Sequence, residues 1–282
     1  FIMRTCLYVL DMSVTLKVET FKKENVLKIK NNWENIRKTI KDTVDLLNEF
    51  GFNSENIISY VAVSPMVYYR FKGGNFDAES KSELRKYIVI SQVRQVFGAA
   101  TNSALTSIRE ALKAAPTDSF KMGNLLKVRF TGERTLRYTP EEIDAMFDTY
   151  EIGAYTFMLL SLLYPNLKYS QKGFHQDHMH PYAGFEESKI ASLKLPDGSA
   201  IDDVRKDEWR RRRNTLANLQ LLEGRENERK NATPLVDWIE VTANNENAKY
   251  MPSDSSFELS HFEDFMDKRQ KLMSDALKAI LL

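Results

Sequence analysis

Phe174-His175-Gln176-Asp177-His178-Met179-His180-Pro181 is the stretch on which the fold turns, and it holds three of the chain's four histidines. A core helix has no use for that density. It is answered about forty residues later by Arg213-Asn214-Thr215-Leu216-Ala217-Asn218-Leu219-Gln220-Leu221-Leu222, and then by Glu226-Asn227-Glu228-Arg229-Lys230. The apolar Leu216, Leu219, Leu221 and Leu222 make the second segment a strand, and the third reads as a short polar helix between Gly224 and Pro234. The order is strand with Asp-His, strand with Asn, helix with Asn. In an extended strand neighbouring side chains point to opposite faces, so Asp177 and His178 diverge while His175 shares the face of Asp177.

These segments resemble the HNH (His-Me finger, ββα-metal) nucleases, and most closely the C-terminal nuclease region of GmrSD-type modification-dependent restriction proteins. The family pattern runs Asp-His-aliphatic-x-Pro, then Asn-x-x-x-Asn-Leu-x-Leu, then Asn on the following helix. Asp177-His178-Met179-His180-Pro181, Asn214 with Asn218-Leu219-Gln220-Leu221, and Asn227 fill those slots. The resemblance implies a metal-dependent DNA endonuclease, nicking or cutting, within a restriction or anti-phage defence protein. It implies His178 as general base and Asn218 as the residue that either orients His178 or pins the loop between the strands. Asp177 and Asn227 are then the ligands of one Mg²⁺ or Mn²⁺. Phosphodiester hydrolysis uses such parts: a base for the water, a cation for the charge developing on the phosphate, and a partner that fixes the base's tautomer. A neutral imidazole, with a pKa near roughly 6.5, takes a proton at physiological pH. One carboxylate and one amide carbonyl suit a hard cation better than zinc.

Other residues near the motif have plainer readings beside the functional one. His175 is a candidate phosphate contact or a hydrogen-bonded strand histidine. Arg210, Arg211, Arg212 and Arg213, with Arg225, form a basic patch at the site and are candidate DNA contacts, or else a solvated face on a helix that packs through Trp209. Asn214 braces the turn into the second strand, Asn231 ends the helix, and His261 is a helix-start surface residue. A two-metal hydrolase would need more ligands than His261, the one histidine outside the cluster, can add. The alternative from another class is an inactive nuclease-derived interaction module that docks a sensor or nucleotide-handling domain.

Composition narrows the setting. A chain of 282 residues has room for one large domain or two ordinary ones, and its longest apolar run, Phe157 to Tyr164, is too short for a membrane span. The single Cys6 permits no intrachain disulfide and no cysteine zinc ribbon, which points to a reducing, cytoplasmic setting. A formal charge of +1 is no nucleic-acid signature by itself. The opening run Phe1 to Leu10 carries no signal-peptide features. The resemblance makes this chain the C-terminal part of a longer protein whose N-terminal nucleotide-handling domain carries an Asp-Gly-Gln-Gln-Arg-type motif, and it leaves a homo-oligomer open.

The rest of the chain reads as helices. Trp33, Ile36, Ile40, Val44 and Leu47 recur at helical spacing up to Phe50-Gly51. A second helix is expected from Ser54 to Gly73-Gly74, bent or divided at Pro65. Asp77 caps a third that closes at Phe97-Gly98, and Asn102 or Ser103 starts a fourth that ends before Pro116. Thr139-Pro140-Glu141-Glu142 is a capping box with proline at the first helical position, Tyr155 to Tyr164 is an apolar helix, and Ser260-His261-Phe262-Glu263 is a second capping box opening a terminal helix. Glu186 to Asp203 is a loop-like insert, and Thr233 to Met251 has no clear pattern. The expectation is a mainly α chain with a small α+β part: a helical spacer over residues 1–169, then an HNH ββα-metal finger with a C-terminal helix over 170–282.

Overall fold

The computed structural model describes residues 1–98, 100–116, 118–242 and 249–282. It is mainly helical with one two-stranded antiparallel sheet, and it divides into two compact units, Phe1–Arg137 and Tyr138–Leu282. The division falls between Arg137 and Tyr138 rather than near Tyr169, so two helices that the sequence places with the spacer belong to the unit that holds the strands.

The first unit is built from α1 (Ile2–Val9), α2 (Lys23–Glu49), α3 (Ser64–Phe71), α4 (Ala78–Val93) and α5 (Thr101–Lys113). Short α3 is its centre, packing against α1, α2 and α5 with Pro65 to Tyr69 all buried. Pro65 stands in the first turn of α3, where its missing N–H costs nothing, so it opens the helix instead of bending one. The buried stripe of α2 is Ile36, Thr39, Thr43, Leu46 and Leu47, whereas Trp33 and Val44 are exposed. Asp77 caps α4, accepting from Ser80 N–H at 2.8 Å.

The second unit begins with α6 (Pro140–Thr149), opened by the Thr139 and Glu142 capping box, and α7 (Ala154–Leu163). There follow β1 (Phe174–His178), α8 (Glu187–Ser192), α9 (Asp203–Arg212), β2 (Leu219–Glu223), α10 (Gly224–Lys230), α11 (Leu235–Thr242) and α12 (Phe262–Leu281). The insert between the strands is thus partly helical, and it also holds an antiparallel bridge between Lys194 and Ala200. The second strand is shorter than its apolar pattern, because Leu216–Asn218 form a single helical turn before β2. At Ser260 the expected cap is not made: the Ser260 hydroxyl lies 3.2 Å from His261 Nδ1, and His261 itself is the N-cap of α12 without a side-chain bond. Part of the unpatterned Thr233 to Met251 stretch is α11, and residues 243–248 of it lie outside the described residues.

Phe174 pairs with Glu223, Asp177 with Gln220 and His178 with Leu219. Directly opposed residues of an antiparallel pair share a face, so one face carries His175, Asp177, Gln220 and Leu222, and the other Gln176, His178, Leu219 and Leu221. The last eight residues of α7 are all buried, and a helix apolar on every side must be covered on every side. It packs on β2, and the Gln176 side chain accepts from Gly153 N–H just before α7 at 3.1 Å. The other face is covered by α10. Residues 219–222 of β2 are accordingly buried on both faces.

Long α12 packs on α6, α7 and the Leu216–Asn218 turn. Its Arg269, fully buried, donates to the carbonyls of Ala217 and Leu219 and, at 3.2 Å, to the Tyr164 hydroxyl. Removing the guanidinium leaves two buried carbonyls without that donor, and each such loss costs about 1–3 kcal/mol. Arg269→Ala is expected to destabilise this unit by roughly 2–6 kcal/mol in denaturant unfolding, and Arg269→Lys to recover part of it.

Candidate functional site

The end of β1 is fastened by Asn218. This fully buried amide accepts from His180 N–H at 2.9 Å and donates to the carbonyls of His180 at 3.1 Å and Arg213 at 2.8 Å, while its own carbonyl accepts from Met179 N–H at 2.7 Å. All its side-chain hydrogen bonds go to backbone. Of the two roles open to Asn218, pinning the loop is the one its bonds perform.

The residue on the His178 imidazole is Asn214, whose Oδ1 lies 3.0 Å from His178 Nε2. With an acceptor facing it, Nε2 carries the proton and Nδ1 keeps its lone pair. Burial holds the His178 pKa below the ordinary histidine value, helped by the positive charges of Lys230 and Arg213 and opposed by the Asn214 bond and Asp177. The ring also meets Tyr182 edge-on, at 6.0 Å between centroids.

The arginine run separates into two kinds. Arg210 is paired with Glu187 and Asp207, Arg211 with Glu208 at 2.7 Å, and Arg212 with Asp267 at 2.5 Å. Trp209 buries the inner side of α9 against Phe262 and donates to Glu263 at 2.7 Å. Arg213 differs: its guanidinium lies 3.6 Å from the centre of the Tyr182 ring and has no carboxylate partner among the described residues. Tyr182, itself exposed, thus touches both the imidazole and an uncompensated cation. Arg225 is exposed on the first turn of α10, and His175 is exposed beside Gly224, where an added Cβ would meet its Nε2 at 3.4 Å.

Asp177 lies on the other face and is almost fully buried. Its carboxylate accepts from Gln220 at 2.8 Å and from the Lys230 ammonium at 3.0 Å, and the same ammonium donates to the His178 carbonyl. Lys230 has no exposed surface. Asn227, half-buried one turn earlier on α10, makes no hydrogen bond to Asp177. The structure therefore brings together His178, Asn214, Tyr182 and Arg213 on one face, and Asp177, Gln220 and Lys230 on the other.

In this arrangement both Asp177 oxygens are taken, by the Lys230 ammonium and the Gln220 amide, so Mg²⁺ or Mn²⁺ would have to displace the ammonium to bind there. Mg²⁺ is commonly held by one or two carboxylates with water filling its other positions; among the described residues there is no cluster of three or more His, Cys, Asp or Glu side chains that could hold a metal ion. With the ammonium in place, an ion of two charges about 4 Å from it would be repelled by roughly 8 kcal/mol at an effective dielectric of about 20, and the attraction of the Asp177 carboxylate works against that repulsion.

No protein-family model matches the chain, and no curated protein matches it in sequence. Among the described residues no helix is long and apolar enough to cross a membrane.

Two predictions follow from these contacts. Lys230→Met strands a buried carboxylate and is expected to cost about 3–5 kcal/mol, whereas Asp177→Leu combined with Lys230→Met recovers most of that loss in a double-mutant cycle. His180 is the second. It is buried against Phe262 and Phe265 with Nε2 unpartnered, and burial, with Lys230 and Arg269 nearby, lowers its pKa to about 3. The unfolded chain binds that proton near roughly pH 6.5, so stability is full above 6.5 and falls as pH drops toward the folded value. His180→Leu is expected to flatten the stability profile between those two pH values.

Proposed function

We propose that the second unit is a phosphodiester hydrolase of the nuclease class acting on DNA, with His178 as its general base. One observation carries this most directly: a neutral, half-buried imidazole is held through Nε2 by Asn214 beside an uncompensated arginine. The order strand, strand, helix, with α10 packed on both strands, supports the resemblance to an HNH finger.

In this chemistry His178 Nδ1 removes a proton from water as the oxygen attacks phosphorus, the P–O bond to the leaving sugar oxygen breaks and that oxygen takes a proton from solvent, and Asn214 stabilises the imidazolium by keeping its acceptor on Nε2–H. Arg213, pre-positioned on Tyr182, supplies positive charge to the phosphate. Arg225 and the outward edges of Arg210, Arg211 and Arg212 add nonspecific attraction for the backbone, weakened where carboxylates already pair them. These steps use the water, the imidazole and the guanidinium, and nothing at Asp177. Linkage to an N-terminal nucleotide-handling domain, and a place in restriction or anti-phage defence, belong to the same proposal.

Conversion of supercoiled plasmid to open-circle or linear DNA, followed with EDTA, Mg²⁺ and Mn²⁺, tests it. Wild type is expected to cleave, His178→Ala to lose about 10²–10⁴-fold, and Arg213→Ala to lose rate together with salt sensitivity. Full activity in His178→Ala would assign the chemistry elsewhere. Because the lowered pKa keeps His178 neutral as pH falls past its ordinary value, the acid limb of the rate profile is expected below roughly pH 6.5. Asn214→Asp, by setting a negative charge on the ring, should move that limb upward.

A further inference from the structure

Lys230 is an unusual place to find a lysine. It is the last residue of α10, its side chain has no exposed surface, and its ammonium reaches both Asp177 oxygens, at 3.2 and 3.0 Å, together with the carbonyl of His178. An ammonium has three donors, and these acceptors match them. Gln220 takes a further lone pair of Asp177 at 2.8 Å. The cluster is closed and internally satisfied, with opposite charges in contact. Its position matters more than its strength: Asp177 adjoins the candidate base in sequence, and the His178 carbonyl that Lys230 holds belongs to the base itself.

We propose that the Lys230 ammonium is the resident cation of Asp177 and excludes a divalent ion from that carboxylate. The ammonium supplies the positive charge that a carboxylate in this position demands, and it does so from a helix that packs on β1 and β2. Being out of contact with solvent, Lys230 cannot touch a phosphate. It is a positioning residue, tying the end of α10 to the strand end that carries His178. The inference stands whether or not the chain cleaves DNA, since it concerns which cation sits at Asp177.

Metal occupancy and lysine reactivity, read apart from cleavage, test it. The whole chain is titrated with Mn²⁺ and free ion is followed by electron paramagnetic resonance, for wild type, Asp177→Asn and Lys230→Ala. Wild type and Asp177→Asn are expected to bind Mn²⁺ alike. Lys230→Ala, which removes the ammonium and leaves its space, is expected to gain a site tighter by about tenfold or more, lost again in Lys230→Ala combined with Asp177→Asn. In parallel, wild type is treated with an amine-acetylating ester with and without Mn²⁺ and each lysine is read by mass spectrometry. Lys230 is expected to stay unmodified in both. A wild-type Mn²⁺ site abolished by Asp177→Asn, acetylation of Lys230 on adding Mn²⁺, or a folded Lys230→Ala that gains no site would each overturn the proposal. Should Lys230→Ala fail to fold, the wild-type titration and the acetylation pattern decide without it. Plasmid cleavage that fails while Mn²⁺ stays excluded would count against the nuclease function alone.

Discussion

Adjacent residues of a strand cannot face the same way, and this rule organises the second unit. Asp177 and His178 are neighbours in sequence, yet the pleat sends one toward α10 and the other toward the α7 side. Each face then solves a different problem. The Asp177 face is sealed, and a sealed carboxylate needs a cation and donors, which Lys230 and Gln220 supply. The His178 face reaches the edge of the sheet, where Asn214 and Tyr182 meet the ring. A twist at the strand end that brought both side chains to one ion would break the His178–Leu219 pairing and draw a charge away from its buried partner.

How much of this was legible depends on the kind of signal. The Thr139 box is local, a side chain and a backbone within one turn, and it forms as its sequence states. The Ser260 box has the same letters, but the serine hydroxyl is drawn to its neighbour His261 and the helix starts one residue later. Strand β1 was legible through the resemblance of its Asp-His motif, not through any apolar alternation of its own. Its partner was readable in type but not in length, because a buried amide at Asn218 favours a turn that the apolar count cannot register. Trp33 and Val44 show a similar limit: spacing marks a stripe, and the packing partner decides how wide the covered part is.

The charged residues follow the same division. Asp207 and Glu208 stand three residues before Arg210 and Arg211, so their pairing was available from helical spacing alone. The pairs to Glu187 and Asp267 were not, since those residues are distant in sequence. Lys230 carried a faint signal. It follows Asn227 by three residues, and the helical phase that aims Asn227 at β1 aims Lys230 there as well. What could not be read was which of the two would reach Asp177; a long stem reaches farther than an amide, and its apolar part gains by burial.

Arg213 gains its distinct environment from where α9 stops. The helix ends at Arg212, and Arg213 is its cap, bonded through its N–H to the Trp209 carbonyl and through its own carbonyl to the Asn218 amide. Its backbone is still helical (φ −58, ψ −29), so the helical step of about 100° per residue points its side chain away from Arg210, Arg211 and Arg212 and onto Tyr182. The same Asn218 amide holds both polar backbone groups of His180, two residues past His178. One buried side chain thus sets the distance between the strand end bearing the imidazole and the helix end bearing the guanidinium. A residue that touches neither a proton nor a phosphate can fix the geometry of both groups that would. The two asparagines accordingly divide their work: Asn214 faces the ring and governs its tautomer, and Asn218 faces the backbone and governs where the ring and the cation stand relative to one another.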